Sequence, residues 1–240
     1  MDGELRKNNF HIFDGISGRS SVAFINKSKF ILTDTDKNEL VEINIDDSNR
    51  PRRVTSTVIL PNLNKPRCVA VSNNNLYIID RGRILKYNLT SKKVYEYINT
   101  PAFEGENIGL AVSKSENICV SNGNKIYNVN IDKKSLSEIN IKCSDCVGIS
   151  RNIAFDGDNT ICIADEKNKK VLLIDFLTGD VICTYSTAEY GLISIAEDGP
   201  ISIACANNKI FLCLANKNIL KVCDKPKVGR KEDKPIALPD

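Results

Sequence analysis

The stretch that decides the fold is Asn152–Asp175, NIAFDGDNTICIADEKNKKVLLID. It offers two readings. Asp156–Asn159, DGDN, looks like the start of a calcium loop, while Ile161–Ala164 and Val171–Ile174 are apolar runs of strand length separated by a polar turn. An EF-hand loop needs oxygen ligands at alternate positions from the first and a glutamate at the twelfth. Counted from Asp156, the fifth residue is Thr160 and the twelfth is Lys167, so the pattern fails. Asp-Gly and Asp-Asn are favoured hairpin residues, because Gly, Asn and Asp tolerate left-handed backbone. The stretch therefore reads as three short strands joined by tight polar turns.

The same plan recurs. Five segments align on an alanine inside a short apolar strand, at Ala23, Ala70, Ala111, Ala154 and Ala204, with spacings of 47, 41, 43 and 50 residues. In each, a second apolar strand ends 10 or 11 residues after the alanine, at Asp34, Asp80, Asn122, Asp165 and Ala215. A third strand follows, such as LVEINI (40–45). In the first four units there is also a fourth segment: RRVTSTVIL, KVYEYINT, SLSEINI and DVICTY. The fourth segments alternate and carry β-branched and aromatic residues, as partly exposed outer strands do. No apolar stripe of helical period is sustained anywhere. Four strands in about 40–45 residues, repeated, is the pattern of β-propeller blades, each burying its faces against its neighbours. The alanines are expected on innermost strands, where space is narrowest.

The fold expected is thus all-β: a propeller of four-stranded blades, five in number with six as the alternative. It forms a single domain over residues 1–224. The fifth unit has no outer strand of its own, and NNFHIF (8–13) alternates like one, so this N-terminal strand is expected to close the fifth blade and cover its edge. Residues 225–240 are charged and proline-rich and read as a disordered tail.

The units resemble NHL repeats. The likeness is best in the fourth, where Ile153-Ala154, Asp156, the strand ending Ala164-Asp165, Asn168 and Asp175 match the family pattern GIAVD-x-x-GNIYVAD-x-x-NNRVQVFD. It covers about residues 20–224 and is weaker in the other units; the second lacks residues in its turn after Asp80. The style is similar to the C-terminal propellers of invertebrate tripartite-motif proteins. Those usually have six blades, and the cysteine/histidine arrays of their RING and B-box domains are not present in this sequence. The resemblance implies a non-enzymatic scaffold that binds a protein partner, with single-stranded RNA as an alternative ligand. Gluconolactonase-like propeller enzymes offer a third expectation, a divalent metal held by Glu, Asn and Asp ahead of inner strands. Here Glu106, Asn107, Asn152 and Asp198 stand in such places.

Composition narrows the chemistry. The 240 residues are 42% hydrophobic and 26% charged, with a net charge of +3, too small to drive binding to nucleic acid or an acidic membrane by itself. Basic residues do gather locally, and Arg52, Arg53, Lys65, Arg67, Arg81 and Arg83 are the candidate protein- or RNA-binding set. RNA would also need stacking aromatics; Tyr77 and Tyr87 lie in strands, where packing is the expected role. His11 is the single histidine, which removes most His-dependent catalysis and metal ligation. No run approaches the roughly 18–20 apolar residues of a membrane helix, and MDGELRKNNFHIF has no signal-peptide core. A cytoplasmic, monomeric module without a cofactor is expected. Nine cysteines suit buried thiols in a reducing compartment. Cys143-Ser-Asp-Cys146 is the one CxxC; it lacks a second ligand pair for zinc and reads as two thiols flanking a turn.

Overall fold

The computed structural model describes residues 21–46, 48, 53–99, 103, 108–130, 133–143, 153–165, 168–186, 200–206, 209–214 and 219–224. These residues are all-β, arranged as successive antiparallel sheets, and the fold is that of a multi-blade β-propeller. The first sheet runs in chain order through β1 (Val22–Phe24), β2 (Lys29–Asp34), β3 (Glu39–Asp46) and β4 (Arg53–Leu60). The second does the same through β5 (Pro66–Ser72), β6 (Asn75–Asp80), β7 (Arg83–Asn88) and β8 (Val94–Asn99). The third holds β9 (Ile108–Val112), β10 (Ile118–Asn122), β11 (Lys125–Asn130) and β12 (Ser135–Glu138). The fourth holds β13 (Ile153–Asp156), β14 (Thr160–Asp165), β15 (Lys170–Asp175) and β16 (Val181–Ser186). The fifth has three described strands, β17 (Pro200–Ala206), β18 (Lys209–Leu214) and β19 (Ile219–Asp224). The closing strand expected at 8–13 and the tail at 225–240 lie outside the described residues.

Each alanine anchor sits in the first strand of its sheet, and the second strands end at Asp34, Asp80, Asn122 and Asp165 as the repeat predicts. In the fifth sheet β18 ends at Leu214, one residue before the expected Ala215. The packing expected of the anchors holds in part. Ala23 and Ala111 are buried, Ala70 and Ala154 are half-buried, and Ala204 is exposed. Pro66 and Pro200 each open a first strand, a position where a missing N–H does least harm to a ladder.

The chain divides into two compact units, Met1–Val112 with Ile131–Ser135, and Ser113–Asn130 with Leu136–Asp240. In the first, Ala23, Ile31 and Leu40 of the first sheet pack with Val69, Leu76, Ile78 and Leu85 of the second. The opposite face of the first sheet buries Leu32, Val41 and Ile43. Adjacent residues such as Ile31 and Leu32 are thus both buried, on opposite faces. This is why the second strands read as continuous apolar runs rather than as alternation. In the second unit, Cys162, Ala164, Val171 and Leu173 of the fourth sheet pack with Ile203, Ile210 and Leu212 of the fifth. Each fully buried Ile or Leu contributes roughly 1.5–3 kcal/mol.

The outer strands are more open: β4 and β12 are exposed along most of their length. In the first, second and fourth sheets the pairing of third to fourth strand shifts register once, at Leu40/Val41, Ile84/Leu85 and Leu173/Ile174. Such irregularities sharpen the right-handed twist toward the outer edge. Among the described residues, no helix is long and apolar enough to cross a membrane.

Candidate functional site

The second strands deliver a buried carboxylate to one end of their sheets. Asp34, Asp80 and Asp165 are all fully buried, and each holds the turn that follows it. Asp34 accepts from the Lys37 amide at 3.0 Å, and its other oxygen lies 3.6 Å from the Lys37 ammonium. Asp165 accepts from the Asn168 amide at 3.1 Å and from its side-chain Nδ2 at 2.8 Å. Asp80 does more. One oxygen accepts from Arg83 Nη2 at 2.6 Å and from Nε at 3.0 Å; the other accepts from the Asn64 amide at 2.6 Å. The shortened second unit, with Asp80 paired directly to Arg83, leaves a two-residue turn. Arg81 (φ 36°) and Gly82 (φ 82°) both take the positive φ that such a hairpin demands.

The bond from Asn64 to Asp80 brings the connection between the first and second sheets onto this end. There Lys65 adopts φ 58° and donates its amide to Asn38 Oδ1 at 2.6 Å, while Thr35 Oγ1 donates to the Pro66 carbonyl at 2.7 Å. Pro66 pairs with Asp80 across β5 and β6, which places Arg67 at the same end. Lys65, Arg67, Arg81 and Arg83 are therefore gathered around Asp80. Lys65 and Arg81 are exposed and Arg67 is half-exposed. Arg83 is committed to Asp80, so its charge is already matched. Among the described residues none forms an ion pair with Lys65, Arg67 or Arg81; Asp36 and Glu39 are the unburied acids of the adjoining turn.

Arg53 stands elsewhere. It opens β4 opposite Asp46, whereas the Asn38 turn that meets Lys65 lies at the other end of the same sheet. Arg52, Glu106, Asn107, Asn152 and Asp198 lie outside the described residues. Tyr77 and Tyr87 are buried, with Lys86 over the first ring at 5.4 Å and Lys92 over the second at 5.8 Å, so neither face is open for a base to stack on.

DGDN has a definite occupation. Asp156 pairs with Thr160 as the last residue of β13, and Gly157 (φ 73°) turns the chain. Asp158 then reaches to the 113–117 turn. Its carboxylate accepts from the Ser115 amide at 2.9 Å and its carbonyl accepts from Asn117 Nδ2 at 3.1 Å. The Ser115 amide, helped by the hydroxyls of Ser115 and Ser113, holds the Asp158 carboxyl below its ordinary range. Asp158 thus ties neighbouring turns together, a role that the local turn pattern does not announce.

The cysteines also differ from expectation at one point. Cys68, Cys119, Cys162, Cys183 and Cys205 are free thiols, but Cys143 is disulfide-bonded, to none of these five, rather than one of two free thiols beside a turn. Burial pushes Cys119 above the ordinary thiol range. Cys68 is pushed up to about 12 by burial, against a smaller opposing pull from Arg67. The Cys68 residue is half-exposed, yet its sulfur is turned inward and donates to the Ile108 carbonyl at 3.2 Å.

No protein-family model matches the sequence, and no curated protein matches it. Solved structures do. The chain is similar to streptogramin B lyase (18% identity, TM-score 0.59, covering 91% of this chain and 72% of that one). It is similar to YCF48 bound to D1 peptide (14% identity, TM-score 0.56, covering 85% and 63%). It is also similar to a chain of the nidogen/laminin complex (13% identity, TM-score 0.57, covering 85% and 74%). These are β-propellers, and at such identities the likeness establishes the fold.

Proposed function

We propose that this chain is a non-enzymatic β-propeller interaction module of NHL-like type, docking an acidic segment of a protein partner on Lys65, Arg67 and Arg81. The five sheets are read as blades of one domain over residues 1–224 that acts as a monomer in the cytoplasm. The observation that carries the proposal is the gathering of three cations, without an ion pair among the described residues, on a loop cluster whose backbone is braced by buried Asp80. Loops on a rigid scaffold are where recognition residues concentrate. Two of the similar propellers fit this reading, one solved with a bound peptide and one in a protein complex. Tyr77 and Tyr87 are buried and do not offer the open stacking faces on which sequence-tolerant single-strand RNA binding relies.

Arg81→Asn tests it cleanly, because Asn tolerates the left-handed backbone of Arg81 while deleting the charge. Fluorescence anisotropy against a pool of Asp/Glu-rich peptides should show binding that falls about fivefold in this variant, the size of one exposed charge contact. Arg53→Glu should leave it unchanged. Tighter binding of single-stranded RNA than of peptide, or peptide binding indifferent to Arg81→Asn, would overturn the proposal.

A further inference from the structure

Two thiols distant in sequence meet between the fourth and fifth sheets. Cys162, in β14, and Cys205, in β17, place their Sγ atoms 2.9 Å apart. Cys162 belongs to the buried apolar cluster between these sheets, Cys205 packs against it, and neither is disulfide-bonded. A disulfide bond is about 2.05 Å long with Cα atoms some 4.4–6.8 Å apart. The sulfurs are therefore within about 1 Å of bonding distance, and β14 and β17 are neighbouring strands. Two other described thiols are directed elsewhere: Cys68 faces the Ile108 carbonyl, and the Cys183 sulfur lies 3.9 Å from the Thr184 carbonyl.

We propose that Cys162 and Cys205 form a peroxide-driven, reversible cross-link that fastens the fourth sheet to the fifth. Exposure assigns the order of events. Cys205 is the less buried of the two residues, Cys162 being fully buried, so a small oxidant reaches Cys205 before Cys162. The Cys205 thiolate attacks hydrogen peroxide, the O–O bond breaks, and Cys205 becomes a sulfenic acid as hydroxide leaves. The Cys162 sulfur then attacks the Cys205 sulfur. The S–S bond forms, the S–O bond breaks, and the Cys162 proton leaves with the hydroxyl as water. In sum, two thiols are oxidised by two electrons and one peroxide is reduced to two waters. A thiol reductant reverses the step by exchange. The link closes a loop of about 40 residues, enough to restrict the unfolded chain substantially.

The full chain would be treated with hydrogen peroxide at a low molar excess, alkylated after unfolding and mapped by mass spectrometry. No Lys or Arg lies between Lys170 and Lys209, so trypsin leaves Cys183 and Cys205 in one peptide. The mapping is therefore repeated in Cys183→Ser. The expected result is a peptide pair joined through Cys162 and Cys205, lighter by two hydrogens, in wild type and in Cys183→Ser alike. Melting temperature should rise by about 5–10 °C on oxidation and return with reductant, and Cys205→Ser should abolish the rise. The proposal is overturned if oxidised wild type retains both thiols open to alkylation, or if Cys205 proceeds to sulfinic acid while Cys162 stays free. The wild-type mapping decides the matter even if a variant fails to fold.

Discussion

Replacing Asp80 with alanine is expected to lower the unfolding free energy by about 3 kcal/mol. The carboxylate is fully buried and receives two donors from Arg83 and one from the Asn64 amide. Charge-assisted bonds of this kind are worth roughly 1.5–3 kcal/mol each when one partner is removed. The sum is not additive, because the Arg83 side chain is 32% exposed and can turn partly to water once released. Arg83→Ala should cost a similar amount by the reverse route, leaving a buried carboxylate with a single backbone donor. Asp165→Ala should cost less, since its described donors are the neutral amide groups of Asn168. Urea denaturation at unchanged m-value reads all three. A loss below about 1 kcal/mol for Asp80→Ala would mean that the pair behaves as an ordinary surface ion pair and does not brace the loop cluster.

Gly179→Ala should be nearly as damaging, for a purely steric reason. Gly179 has φ 74°, and a Cβ there would collide with the Asn140 carbonyl oxygen. The left-handed backbone alone costs an alanine roughly 1–2 kcal/mol. Displacing a backbone carbonyl adds to that, and it strains the bond from the Lys142 amide to the Gly179 carbonyl at 3.0 Å. A total of about 3 kcal/mol follows. Gly157→Ala, inside DGDN, is the matched comparison: φ is 73°, but nothing lies within 4 Å of the added carbon. It should cost only about 1 kcal/mol. Equal losses at the two glycines would contradict the claim that Gly179 is held by a close approach to Asn140.

The sheet plan was legible because its signal is local. Apolar runs and polar turns recur at fixed offsets from each alanine, an acid or Asn closes the second strand in the first four units, and strand ends such as Asp34, Asp80 and Asp165 can be read directly. The purpose of those acids was not legible. A carboxylate at a strand end looks alike whether it is solvated or buried, and only the fold shows Asp80 receiving a donor from Asn64 on a separate connection. The basic cluster was half legible. Lys65, Arg67, Arg81 and Arg83 share one end of a sheet because Pro66 pairs with Asp80, a register consistent with the repeat. Sequence proximity misleads for Arg53, which the antiparallel run of β4 carries to the far end of its sheet. The meeting of Cys162 with Cys205 depends on packing between sheets, which no spacing rule encodes; Asp158 and Ser115 hold equivalent places after Ala154 and Ala111, so the repeat sets their turns side by side but does not announce the bond.

The docking role of the Asp80 loop cluster is tested most directly by a hydrogen-exchange footprint of the full chain with and without a bound Asp/Glu-rich peptide. Added amide protection is expected to concentrate in residues 61–67 and 80–83, with little change at the Arg53 end of the first sheet. Protection at the Arg53 end with none at 61–67 and 80–83, or peptide binding that leaves both loops unchanged, would contradict it.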